Sequence, residues 1–187
     1  MASSSPQRRK LLKELRVPFR IVPSRVPEES DERVPRRLVL ELALRKARAV
    51  AARHPGTLVL GADTIVVSRG EILGKPRDLT DGMRILGLLN GRWHRVYTGV
   101  ALVDGAGRSW REVAVSRVHA RRLDAARLRE FAGKHMDKAG AYAVQDREDP
   151  FIDRIEGPLD NVIGLPMANV RSLLKKAARR RQRPSKA

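Results

Sequence analysis

The chain has 187 residues, with 39 lysines and arginines against 21 aspartates and glutamates, a net charge of +18, and no cysteine. That length makes one domain, or two small lobes sharing a core, able to bury about 70% of the unfolded surface. Disulfide frameworks, thiol nucleophiles and cysteine-type zinc sites are excluded, and His54, His94, His119 and His135 lack metal-ligand spacing.

In chain order, Ser5 as N-cap and Pro6 at the first helical position predict a helix carrying Leu11, Leu12 and Leu15. Phe19 to Pro23 reads as a short strand and Pro27 to Pro35 as a charged loop. Leu40, Ala43, Leu44, Ala47 and Ala51 form the apolar stripe of a longer helix that His54-Pro55-Gly56 ends. Thr57 to Leu60 is too short for a helix and reads as a strand buried on both faces, continued by Ile65-Val66-Val67. Arg69-Gly70 turns the chain into Glu71-Ile72-Leu73. A helix with Met83, Leu86 and Leu89 stops at Asn90-Gly91. Strands follow near Arg95–Thr98 and Val100–Val103, then a turn at Asp104-Gly105 and an alternating segment from Trp110 to Ala120. Asp124 caps a helix with Leu128 and Phe131, and a last helix begins near Pro166. The pattern predicts an α/β chain with a mixed, twisted sheet.

Much of the charge is local. Seven basic residues and no acid lie in Lys175–Ala187, a segment read as a disordered basic tail behind a domain over 1–174. A basic surface favours polyanions of any kind, nucleic acid or nucleotide alike. Apolar runs are short and interrupted by charge, which predicts no membrane span and a cytoplasmic protein.

Five places carry candidate chemistry. Ser5, Gln7 and Arg8 open a helix, where free N–H groups and forked donors suit a phosphate chain, although capping alone explains Ser5. Asp63, in Gly61-Ala62-Asp63-Thr64 at the end of the buried strand, is either a metal-holding or water-deprotonating carboxylate or a turn residue. Lys75, between Gly74 and Pro76, is a compact charge suited to phosphate oxygens or a solvated loop lysine. Lys46 flanks the apolar stripe of its helix, the usual place of a snorkelling surface lysine. Gln145, after the small residues of Asp137–Val144, offers a donor and an acceptor for a base edge or sits on a strand surface.

Taken together, S-S-S-P-Q-R-R-K-L-L (3–12), V-P-S-R-V-P-E-E (22–29), R-K-A-R-A-V-A (45–51), G-A-D-T-I-V-V (61–67), L-G-K-P (73–76), D-K-A-G-A-Y-A-V-Q-D (137–146) and I-E-G-P-L-D-N-V-I-G-L-P (155–166) resemble the Maf family of nucleoside triphosphate pyrophosphatases. The resemblance implies an elongated, two-lobed, inosine-triphosphatase-like fold with a central cleft. It implies hydrolysis between the α and β phosphates to monophosphate and pyrophosphate, in the cleansing of nucleotide pools, with Mg2+ or Mn2+ as cofactor. By that resemblance Asp63 is the proton acceptor and Glu28 an acidic residue near metal and water, the two holding the metal. Ser5, Arg8, Lys46 and Lys75 would contact the triphosphate, and Gln7, Thr64 and Gln145 would set base preference. Thr64 and Gln145 resemble the subgroup acting on dTTP and UTP, modified pyrimidine nucleotides included, whereas Gln7 replaces the first arginine of the usual S-P-R-R.

Family members are often homodimers. The competing reading is a nucleic-acid-binding or cell-division interaction protein, with nonspecific RNA or DNA contact through the tail. The 4% aromatic content gives that reading little support.

Overall fold

A computed structural model of the protein describes residues 1–144 and 151–181. Its elements are α1 (Pro6–Leu12), α2 (Pro35–Ala51), β1 (Val59–Ser68), β2 (Glu71–Leu73), α3 (Leu79–Leu89), β3 (Trp93–Val103), β4 (Ser109–Ala120), α4 (Ala125–Ala132), β5 (Ile152–Glu156), α5 (Leu159–Ile163) and α6 (Met167–Arg181). The strands form one sheet of order β2-β1-β3-β4-β5. The chain is α/β as the pattern predicts, and where helix–strand alternation suggested a mixed sheet, the sheet is antiparallel. Val67 pairs with Ile72 across the β1–β2 hairpin, and Val118 with Ile155 across β4 and β5.

Several boundaries differ from the sequence reading. The two apolar runs around Asp63 fuse into the single ten-residue strand β1, so Gly61–Thr64 is mid-strand rather than at a strand end. The two predicted strands at 95–103 likewise merge into β3. No strand forms at Phe19–Pro23, because Pro18 and Pro23 bound the run and remove ladder donors; Val22 N–H still donates to the Met1 carbonyl, at 2.9 Å. α6 continues to Arg181, into the segment set apart as a tail, with Ala177 only 2% exposed.

The chain divides into two compact units. The first comprises Met1–Asp63, Thr98–Ala114 and Gly164–Ala187. Its core sets Ala43, Leu44, Ala47 and Val50 of α2 against Val59, Ala101 and Val103 of the sheet. Glu112 of β4 anchors α6, accepting from Ser172 Oγ at 2.6 Å, Asn169 Nδ2 at 2.9 Å and Lys176 Nζ at 2.7 Å. The second comprises Thr64–Tyr97 and Val115–Ile163. There Ile85, Leu86 and Leu89 of α3 and Phe131 of α4 pack on Val66, Val96 and Val118. Both predicted caps are present: Ser5 Oγ accepts from Arg8 N–H at 3.3 Å and Asp124 Oδ1 from Arg127 N–H at 2.9 Å.

The second unit also buries a polar pair, His94 Nε2 and the Tyr142 hydroxyl, 2.8 Å apart. Burial pushes His94 down to about 4, so the folded chain keeps it neutral where the unfolded chain takes up a proton near 6.5. Between those values each pH unit of acidification removes about 1.4 kcal/mol of stability, roughly 3 kcal/mol across the window, and the group contributes no slope above it. Urea midpoints measured from pH 7 to pH 4 should therefore fall more steeply for the wild type than for His94→Asn. Parallel profiles would refute the assignment.

Candidate functional site

The first unit brings three of the predicted side chains together, two carboxylates around one ammonium. Lys46 Nζ lies 2.6 Å from Asp63 Oδ1 and 2.7 Å from Glu28 Oε1. Lys46 and Asp63 are 7% and 6% exposed, whereas the Glu28 side chain is about half exposed. A lysine beside an apolar stripe would ordinarily snorkel to water; here its charged end is held inward by two carboxylates.

Local backbone geometry makes that meeting possible. Gly61 and Asp63, two residues apart on β1, face α2. A Cβ on Gly61 would lie 2.2 Å from the Ala43 carbonyl oxygen and 2.9 Å from Ala47 N, and one on Gly99 of β3 would lie 2.3 Å from the Val39 carbonyl oxygen. Without side chains at these two positions, the helix backbone rests directly on both strands, and Lys46, one turn past Ala43, reaches Asp63. In the sequence Gly61 reads as the boundary of the apolar run Thr57–Leu60, and Gly99 falls unmarked between two strand segments. Their signal was a glycine inside a strand, which marks close backbone approach.

Arg8 supports the same strand. Its Nη1 donates to the Ala62 carbonyl at 3.0 Å, and its Nε to the Gly164 carbonyl at 2.8 Å. Burial lowers the pKa of the guanidinium, while the charges of Asp63 and Glu28 raise it. An arginine remains a cation throughout, so Arg8 is a fixed positive charge pinned beside Asp63. Ser5 and Gln7 meet each other, the Ser5 hydroxyl donating to Gln7 Oε1 at 3.1 Å.

The remaining predicted residues are Thr64, Lys75 and Gln145. Thr64 follows Asp63 on β1 and points to the opposite face. Lys75 is exposed in the second unit, in a loop whose Gly74 carbonyl accepts from Gly140 N–H at 3.1 Å. Gln145 lies outside the described residues.

No group of three or more His, Asp or Glu side chains able to hold a metal occurs among the described residues. Asp63 and Glu28 nevertheless converge on one cation. Two carboxylates suit Mg2+ or Mn2+, which commonly complete their octahedra with water and substrate phosphates rather than with an all-protein cage. The donor set thus fits a divalent ion that completes its coordination with ligands from outside the chain.

The family model "Maf-like protein" matches residues 1–177. The chain belongs to the Maf-like protein family. Among relatives of this Maf-like chain, a dTTP/UTP pyrophosphatase of Elusimicrobium minutum is 45% identical over 94% of this chain and 96% of its own length. That of Symbiobacterium thermophilum is 46% identical over 89% and 87%, and that of Deinococcus radiodurans 42% over 95% and 91%. A solved nucleoside-triphosphatase, dITP/XTP pyrophosphatase, of Mycobacterium abscessus covers 95% of each chain at 18% identity, with a TM-score of 0.48. No helix among the described residues is long and apolar enough to cross a membrane.

Proposed function

We propose that this Maf-like protein hydrolyses nucleoside triphosphates, dTTP and UTP foremost, between the α and β phosphates, releasing monophosphate and pyrophosphate. The observation that carries the reading is the buried Lys46 ammonium gripping both Asp63 and Glu28. The relatives' names support the substrate class. Cleaving a phosphoanhydride asks little covalent chemistry of a protein; positioning, charge neutralisation and a water made nucleophilic carry it.

Asp63 accepts the proton of the attacking water at its carboxylate, held in one orientation by the Lys46 contact to Oδ1. Glu28, half exposed on its loop and held by the same ammonium, orients that water. Asp63 and Glu28 would hold Mg2+ or Mn2+, which supplies neutralisation of the phosphate oxygens when bound. Lys46 and Arg8 supply fixed positive charge for the triphosphate, and Ser5 adds a hydroxyl at the start of α1. Base preference falls to Gln7, Thr64 and Gln145.

A panel of ribo- and deoxyribonucleoside triphosphates, with Mg2+, with Mn2+ and with chelator, tests the reading by chromatography of the products. We expect thymine and uracil nucleotides to turn over fastest, pyrophosphate to appear in equal amount with monophosphate, and chelation to abolish both. Release of orthophosphate and diphosphate, or no turnover by folded protein, would overturn it.

A further inference from the structure

We propose that Arg45 is a positioning residue for Glu28, holding the backbone on both sides of it. Glu28 lies in the stretch from Pro18 to Arg33, which has no helix or strand, so no ladder fixes its carboxylate. Arg45, the α2 residue immediately before Lys46, supplies that fixation. Its Nη1 donates to the Pro27 carbonyl at 3.0 Å and to the Glu29 carbonyl at 2.8 Å, the two carbonyls that bracket Glu28.

The guanidinium is itself braced. Its Nη2 is bonded to Glu41 Oε1 at 2.5 Å, one turn earlier on α2. Both Glu41 oxygens accept from Ser30 Oγ at 3.2 Å, and Ser30 Oγ in turn accepts from Glu32 N–H at 3.2 Å. Adjacent residues of one helix thus govern Glu28 in two ways: Lys46 by its carboxylate, Arg45 by its backbone. A planar fork can serve two carbonyls and a carboxylate at once; the single nitrogen of lysine cannot keep that geometry. Arg45 makes these bonds from a partly exposed position, so replacing it disturbs the loop without emptying the core.

The inference rests on the proposed role of Glu28 in nucleotide hydrolysis, and two measurements separate the two ideas. Hydrogen exchange at the amide of Glu32, whose N–H bond to Ser30 Oγ belongs to the same Arg45–Glu41–Ser30 brace, should quicken in Arg45→Met and only partly in Arg45→Lys, whatever the activity. With dTTP as substrate, Arg45→Met should lower kcat about 10- to 100-fold, the scale of a small misplacement of a reacting group. KM should change by less than about threefold, as expected when the loss is in the transition state. In a Glu28→Gln background, adding Arg45→Met should cost nothing further, because the route through Glu28 is already cut. Unchanged exchange would overturn the clamp. Unchanged kcat, or losses that multiply in the double variant, would overturn the positioning role. If wild-type protein released no pyrophosphate, the hydrolase reading would fall while the exchange data still decided the clamp.

Discussion

Asp63→Asn is expected to lose turnover by about 10²- to 10⁴-fold, the usual worth of a positioned proton acceptor, while keeping the fold. The amide preserves shape and an oxygen within reach of Lys46, but has no comparable affinity for a proton. Removing one member of a buried ion pair normally costs about 3–5 kcal/mol, because the other charge is stranded. Here Glu28 remains 2.7 Å from the same ammonium, so the stability loss should stay near the lower end of that range. Steady-state kinetics with dTTP and a urea titration make the comparison. Near-normal pyrophosphate release from the folded variant would remove Asp63 from the chemistry, whereas general unfolding would mean that the pair is chiefly structural.

Gly61→Ala should damage both stability and turnover, although it adds one methyl group. That methyl would sit 2.2 Å from the Ala43 carbonyl oxygen, a backbone atom that cannot swing aside, so α2 must move off β1. Overpacking of this kind costs about 3 kcal/mol, which for a chain of this size lowers Tm by roughly 6–12 °C. Shifting the helix also displaces Lys46 from Asp63, and kcat should fall about 10²-fold at temperatures where the variant is still folded. Gly105→Ala is the control. Its Cβ would meet the Gly56 Cα at 2.6 Å in the turn after β3, so it should cost stability without lowering kcat. Equal loss of kcat in both variants would show that destabilisation alone explains the effect of Gly61→Ala.

Much of this arrangement was legible in the residues. The caps at Ser5 and Asp124, the apolar stripe of α2 and the α3 stop at Asn90-Gly91 are local signals, and local hydrogen bonding or periodicity decides them. Strand continuity around Asp63 was less legible, because Gly61 and the polar pair Asp63-Thr64 interrupt the apolar run that marks a strand. β5 and α5 were missed because each is only five residues long, too short for periodicity to separate from loop. Phe19–Pro23 failed as a strand because its apolar residues satisfied the pattern while Pro18 and Pro23 at its ends removed ladder donors, leaving bonds to Met1.

The ordered motifs pointed to the Maf family, and that resemblance named Asp63, Glu28, Lys46 and Arg8 as candidates, because side-chain type and order survive in a linear string. They could not say that Lys46 is buried, that one ammonium serves both carboxylates, or that Arg45 grips the chain around Glu28. Those facts depend on how closely α2 approaches β1 and β3. That distance is set by what Gly61 and Gly99 lack, through contacts between backbones far apart in sequence, to which no local pattern is sensitive.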